Sequence, residues 1–295
     1  MISQITIPSL DQALAEMGAA GLRLDAMGSC EASAGNISVA LAGGSADGLD
    51  GGLDGGLAGC LAGQVERLFP NSEPYELPVA AEALAGWTVL VTGSGSRLRD
   101  IAAKPGATVG AVTVGPDGCG ALLRTAPDRG FATPTSEFNS HLAVHVEQVA
   151  ARGLTWHAVV HAQPPHLVAL SHRPDLADSA DPAAFWRRIV RWEPETIVQL
   201  PEGVALLPFM VPGSEALGQA SVEAMRTYRV VVWAKHGLLV RSEAGPLKAV
   251  DLIEYVETGA MYDQVNTACG SPSQGLTDAE IRQVADAFGV TAGLF

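Results

Sequence analysis

A mixed α/β domain is the fold class this chain predicts, and three observations carry it. From residue 86 onward, short β-branched runs alternate with longer stretches whose apolar residues recur at helical spacing. Turn chemistry separates them, as in Gly93-Ser94-Gly95-Ser96 and Gly115-Pro116-Asp117-Gly118. No stretch between them has the composition of a linker joining two cores, so residues 1–295 read as one domain.

The elements follow in order. Residues 8–27 predict a helix: Ser9 is a cap, Asp11 falls in the first turn, and Leu10, Ala13, Leu14, Met17 and Leu22 form an apolar stripe. Ser33 to Leu41 is a polar turn entering a strand. Residues 43–63 contain the near-repeat Gly51-Gly52-Leu53-Asp54-Gly55-Gly56-Leu57-Ala58-Gly59 and predict a flexible glycine-rich loop inserted between two strands. Asp47, Asp50 and Asp54 lack the regular spacing of a calcium-binding repeat. Strands are predicted at Trp87–Thr92, Ala111–Val114, His157–Ala162 and Thr196–Leu200, and a strand or hairpin at Val230–Val240. Helices are predicted at 136–151, 214–226, 246–268 and 277–288, the last capped by Thr277.

Composition narrows the function. With 47% hydrophobic and 17% charged residues, the chain can bury a core. A net charge of −14 opposes binding to nucleic acid, whose phosphates need a basic surface. It leaves room for a small phosphorylated substrate, because a local nest of backbone amides can hold an anion. The sequence has no apolar run of the ~20 residues a membrane span needs. The start, Met1-Ile2-Ser3-Gln4-Ile5, has no basic, apolar leader pattern. Cys30, Cys60, Cys119 and Cys269 are scattered and form no CxxC pair, which predicts reduced thiols and a cytoplasmic protein.

Three segments carry candidate chemistry. Val159-Val160-His161-Ala162-Gln163-Pro164-Pro165-His166 and Val232-Trp233-Ala234-Lys235-His236-Gly237 each read as a β-branched strand leading to an imidazole. Pro134-Thr135-Ser136-Glu137 reads as a helix entry with a carboxylate. Two imidazoles and a carboxylate can hold a divalent cation and leave a position open for substrate. Each segment also has a plain structural reading: a core histidine, or simple helix capping. His141 and His145, one helical turn apart, read as surface or packing residues. Gly35-Asn36 and Thr92-Gly93-Ser94-Gly95 offer backbone amides to a phosphate, yet short Gly-Ser turns are mostly only turns.

The ordered set Gly35-Asn36-Ile37-Ser38, Thr92-Gly93-Ser94-Gly95, Pro134-Thr135-Ser136-Glu137, Val160-His161 and Lys235-His236-Gly237 resembles the class II aldolase/adducin family. Trp192-Glu193-Pro194-Glu195-Thr196, the run from Leu206 to Ser214, Gly218-Gln219-Ala220 and the tail Ala287 to Thr291 are similar to its rhamnulose-1-phosphate aldolase branch. The resemblance implies a single three-layer αβα domain with a central, mainly antiparallel sheet, assembled as a homotetramer. It implies one divalent metal per subunit, Zn²⁺ first, at His161, Gln163 and His236. It also implies catalytic roles for Glu137 and for Glu195, the latter reaching a neighbouring subunit's site. Gly35, Asn36, Ser94, Gly95, Thr135 and Ser136 would bind the phosphate of a ketose substrate. The departure is Gln163, which stands where the branch has its second histidine ligand. Either its amide oxygen ligates, or His166 turns in at Pro164-Pro165, or the metal is weakly held. An oxygen donor there would favour Mn²⁺, Co²⁺ or Mg²⁺ more than an all-histidine site does. A further departure is Ser33, where the branch carries an additional phosphate-side asparagine. Other enzymes of the family (a different sugar-phosphate aldolase, an epimerase or a dehydratase) and a non-catalytic adducin-like binding protein are the alternatives.

Overall fold

Capping chemistry sets where the first helix begins. Ser9 Oγ accepts the Gln12 amide at 3.2 Å and Gln12 Oε1 accepts the Ser9 amide at 2.8 Å, a reciprocal box that opens α1 (Leu10–Ala26). A computed structural model describes residues 7–43, 53–177, 179–270 and 273–292, with the side chains of 53–60 outside that description. The strands are β1 (Asn36–Leu41), β2 (Asn71–Tyr75), β3 (Thr88–Thr92), β4 (Val109–Val114), β5 (Ala121–Thr125), β6 (Trp156–Ala162), β7 (Val204–Leu207), β8 (Val230–Trp233) and β9 (Gly237–Ser242). After α1 the helices are α2 (Leu53–Leu68), α3 (Pro105–Thr108), α4 (Phe138–Arg152), α5 (Pro165–Leu170), α6 (Pro174–Ala177), α7 (Ala184–Val190), α8 (Pro194–Gln199), α9 (Glu215–Met225), α10 (Pro246–Ala268) and α11 (Asp278–Phe288).

All nine strands join one sheet in the order β2-β5-β4-β3-β1-β6-β9-β8-β7. Every neighbouring pair is antiparallel except β7 and β8 at one edge, which bears out a mixed, mainly antiparallel α/β sheet with helices around it. Alternation of side chains sorts residues between the two faces. On one face Ile37, Val39, Val160, Val232 and Val240 pack with α1, α7 and α10 residues such as Met17, Trp186 and Ile253. On the other face Val89, Val91 and Val112 meet Phe138 and Leu142 of α4, while Val159, Val231 and Leu239 meet Val144 of α4 and Leu217 of α9.

Register brings four chain ends to one end of the sheet. Asn36 at the start of β1 lies opposite His161 near the end of β6, and Ala162 lies opposite Leu238 at the start of β9. β3 finishes beside the start of β1, with Ser38 opposite Val91. α4 begins at that same end, because Pro134 bridges to Gly93 just beyond β3.

Three expectations need correction. Of the predicted 43–63 loop, 44–52 lie outside the described residues, but 53–63 belong to α2. There Leu57, Leu61 and Val65 recur every fourth position and override the low helix propensity of glycine, with Leu61 and Val65 buried. Thr196–Leu200 is not a strand: Pro194 at the first helical position and Glu195 in the first turn start α8, and the β-branched run Thr196-Ile197-Val198 gives way to them. Leu22 is half-exposed, while Leu24 takes the buried place on α1.

Candidate metal and catalytic site

The site is assembled from the two strand ends and the helix entry. His161, one residue from the end of β6, is buried, and its Nδ1 lies 2.8 Å from the Leu238 carbonyl. A carbonyl only accepts, so Nδ1 carries a hydrogen, and in the neutral ring Nε2 keeps its lone pair. That Nε2 stands 3.5 Å from Glu137 Oε2. His236 lies in the three-residue turn Ala234-Lys235-His236 between β8 and β9, not on a strand as the sequence suggested. Lys235 adopts the left-handed region there, with φ of 64°. The turn places His236 Nε2 3.5 Å from Glu137 Oε1.

Glu137 is the residue before α4, and its side chain caps nothing. Asn36 Nδ2 instead donates to Glu137 Oε2 at 2.8 Å. Burial pushes the Glu137 carboxyl upward, but the His161 and His236 imidazoles and the Asn36 amide outweigh it and hold it below the ordinary carboxylate range. His236 is held below the ordinary imidazole value by burial first and by His161 second, against the pull of Glu137. An ionised carboxylate and neutral imidazoles are the forms that ligate metals.

The donor atoms of Glu137, His161 and His236 all lie within 4.8 Å of one another. Glu137 Oε1 and His236 Nδ1 are buried and have no hydrogen-bond partner among the described residues. A divalent cation fits this donor set: two imidazoles and a carboxylate, one oxygen of which has no other partner. Trp233 supports it from below, its ring stacking on His161 at 4.9 Å and His236 at 5.2 Å between centroids. Trp233 Nε1 donates to Ser221 Oγ at 2.9 Å, which donates to the Leu217 carbonyl at 2.7 Å. The sequence reading passed over Trp233; its only signal was its position three residues ahead of His236.

The phosphate-type turns reach the same end of the sheet. Ser94 N–H donates to the Thr133 carbonyl at 2.8 Å and Thr135 N–H to the Thr92 carbonyl at 3.0 Å, which lays the 93–95 turn against Thr135-Ser136. Gly93 is required there, since a Cβ would run into the Phe131 ring. Ser94, Gly95 and Ser136 are exposed and Thr135 is half-buried. Gly35 has φ of 79°, and a Cβ on it would come within 3.1 Å of the His161 carbonyl.

Gln163 and His166 separate clearly. A Cβ on Gly237 would lie 2.8 Å from His161 Cε1 and 3.2 Å from Gln163 Cγ, so those two side chains border the same small gap. The Gln163 backbone amide donates to the Ser29 carbonyl at 2.8 Å, and its side-chain amide has no hydrogen bond among the described residues. His166 is engaged elsewhere. Its Nδ1 lies 2.6 Å from Glu257 Oε1, whose carboxylate also accepts the amides of His166 at 3.0 Å and Leu167 at 2.9 Å. Glu257 thereby caps the first turn of α5 and keeps His166 away from Glu137. Glu195 is exposed in the first turn of α8, a helix packed among α7, α10 and α11, and joins no part of this cluster.

With this geometry in place, the chain can be compared with known proteins. Residues 15–262 match the Class II Aldolase and Adducin N-terminal domain family, and the chain belongs to that family. A rhamnulose-1-phosphate aldolase of Escherichia fergusonii is 32% identical over 227 residues, covering 76% of this chain and 78% of that protein. One from Listeria innocua is 31% identical over 212 residues, 72% and 75% of the two chains. A crystal structure of a sugar-phosphate aldolase from Thermotoga maritima shares the fold with a TM-score of 0.67, at 23% identity over 90% of this chain and 99% of that one.

Proposed function

We propose that this protein is a metal-dependent aldolase that cleaves L-rhamnulose 1-phosphate to dihydroxyacetone phosphate and L-lactaldehyde. The observation that carries it is the convergence of Glu137, His161 and His236, with one carboxylate oxygen left unpartnered. The names of the relatives at about 31% identity support the choice of sugar.

His161, His236 and Glu137 would hold the cation, with Gln163 offering its amide oxygen from across Gly237. A divalent cation there supplies electrophilic polarisation of a ketose carbonyl and offsets the charge that grows on its oxygen. The chain does the rest. Asn36 fixes one oxygen of Glu137; the other could touch the cation until substrate arrives and then move a proton. Being ionised, Glu137 can take the C4 hydroxyl proton as the C3–C4 bond breaks and return a proton to C3 of the phosphate-bearing fragment. The Ser94, Thr135 and Ser136 hydroxyls and the Gly95 amide, together with Gly35-Asn36, would bind the phosphate and so orient the reacting end.

A cytoplasmic homotetramer completes the reading. Phe209 and Val211 are 58% and 65% exposed on a loop whose Gly213 carbonyl accepts Asn139 Nδ2 at 2.9 Å, beside Ser136. Apolar exposure next to the site suits a subunit interface across which Glu195 of a second copy reaches it. Among the described residues no helix is long and apolar enough to cross a membrane.

The test pairs elemental analysis of purified protein with an aldol-cleavage assay on rhamnulose 1-phosphate, run beside fuculose and ribulose phosphates. Cleavage that a chelator abolishes and a divalent cation restores is expected. Chelator-resistant cleavage refutes the metal role, and a preference for another sugar moves the specificity.

A further inference from the structure

Behind Glu137 runs a polar seam that the chemistry above does not use. Ser38, His141, His145 and His157 have no solvent exposure. Ser38 Oγ lies 2.7 Å from His141 Nδ1 and 2.7 Å from His145 Nε2, and His145 Nδ1 lies 2.8 Å from His157 Nδ1. Three contacts need three hydrogens. The hydroxyl and three neutral imidazoles fill them in one of three ways. His157 donates to His145, His145 to Ser38 and Ser38 to His141; every donation is reversed; or His141 and His145 both donate to Ser38 while His157 donates to His145. Burial keeps the imidazoles uncharged, His141 and His157 being pushed down to about 3.

The placement of this seam is specific. Ser38 is two residues along β1 from Asn36, on the same face. His157 is four residues before His161, on the same face of β6. His141 is one helical turn beyond Glu137. Each of the three elements that present Asn36, His161 and Glu137 therefore contributes to the seam one step further into the core. Apolar packing between α4 and the sheet is non-directional and tolerates small slides. A hydroxyl shared by two imidazoles fixes distance and direction. A buried hydrogen bond adds only about 1 kcal/mol net, so apolar residues of equal volume would serve stability nearly as well.

We propose that Ser38 is a positioning residue: by bridging His141 and His145 it fixes α4 against β1 and β6 and so sets the Glu137 carboxylate relative to His161 and His236. This rests on the aldolase reading for its kinetic readout, but not for its metal readout.

The experiment compares wild type with Ser38→Ala, Ser38→Thr and Ser38→Val, the last two sharing a shape and differing in the hydroxyl. Residues that orient a metal site typically change affinity or rate by about 10–100-fold. Ser38→Ala and Ser38→Val are therefore expected to lose at least about tenfold in kcat at saturating metal, with KM within about twofold, and about tenfold in Co²⁺ affinity read from the cobalt absorption spectrum. Ser38→Thr is expected to recover most of both. Wild-type kcat and Co²⁺ affinity in Ser38→Ala overturn the proposal, as does equal behaviour of the Thr and Val variants. If any variant fails to fold by circular dichroism, the remaining ones decide by the same criterion. Wild-type protein that binds Co²⁺ but turns over none of the ketose phosphates refutes the aldolase reading, and Co²⁺ affinity then judges Ser38 on its own.

Discussion

Two sets of histidines share the seam between α4 and the sheet, and they are built differently. His161 and His236, at the sheet end, turn an unshared nitrogen toward a carboxylate, and Trp233 stacks beneath both rings. His145, inside, spends both nitrogens on Ser38 and His157, while His141 and His157 each use one and leave a buried Nε2 without a partner among the described residues. The outer pair faces a carboxylate with an unpartnered oxygen; the inner three face one another and Ser38. At His161 a backbone carbonyl takes the Nδ1 hydrogen and leaves Nε2 facing Glu137, whereas at His145 a hydroxyl and an imidazole occupy both nitrogens.

The sharpest way to break this contrast is to remove the charge both outer histidines face. Glu137→Gln is expected to cost about 10²–10⁴-fold in kcat, the usual contribution of a positioned acid–base group, in an aldol-cleavage assay. An activity within a few-fold of wild type would mean the carboxylate only holds the histidines. Gln163 comes next. Gln163→Ala is expected to weaken metal binding by about tenfold and Gln163→His to strengthen it by a similar factor, measured by competition with a chromophoric chelator. Should Gln163→Ala leave metal content and rate unchanged, the amide is no ligand.

The inner set makes a prediction about acid. Folded, His141 and His157 stay neutral down to about 3 because they are buried; unfolded, they protonate near 6.5. Between those values the unfolded chain binds more protons, so stability is full above about pH 6.5 and falls as pH drops toward 3. The slope is on the order of 1 kcal/mol per pH unit for each such imidazole. Urea melts from pH 7 to 4 check it, and a flat profile would mean these rings are not held neutral. The smallest effect is expected from His166→Ala, which removes a contact to Glu257 but no ligand; metal content should not change, and its loss would restore His166 to the site.

Much of this was legible in the sequence, for physical reasons. Ser9 and Thr277 announced their helices because caps are local chemistry. His161 stood out because an imidazole ending an apolar strand needs a reason, and Glu137 only through the family resemblance, since a carboxylate at a helix entry is ordinary capping chemistry. The inner histidines did not, because spacing of one helical turn is the same on a buried face and an exposed one. α8 was misread because a β-branched run looks like a strand until Pro194 is given its weight. The 53–63 helix was hidden by glycine. Nor could the sequence show that His166 pairs with Glu257, a partner far along the chain on α10.

Gly237 has a consequence for how the site ages and fails. Any side chain there would collide with the Ala162 carbonyl and crowd His161. The candidate cation site thus lies where two backbones touch, and β6 and β9 are zipped from Ala158–Ser242 to Ala162–Leu238 behind it. With the proposed cation bound, its loss is expected to loosen these strands. A bound ion should therefore act as a rivet, slowing the opening of the central sheet, and the exchange of the amides of β6 and β9 with heavy water should slow when metal is added.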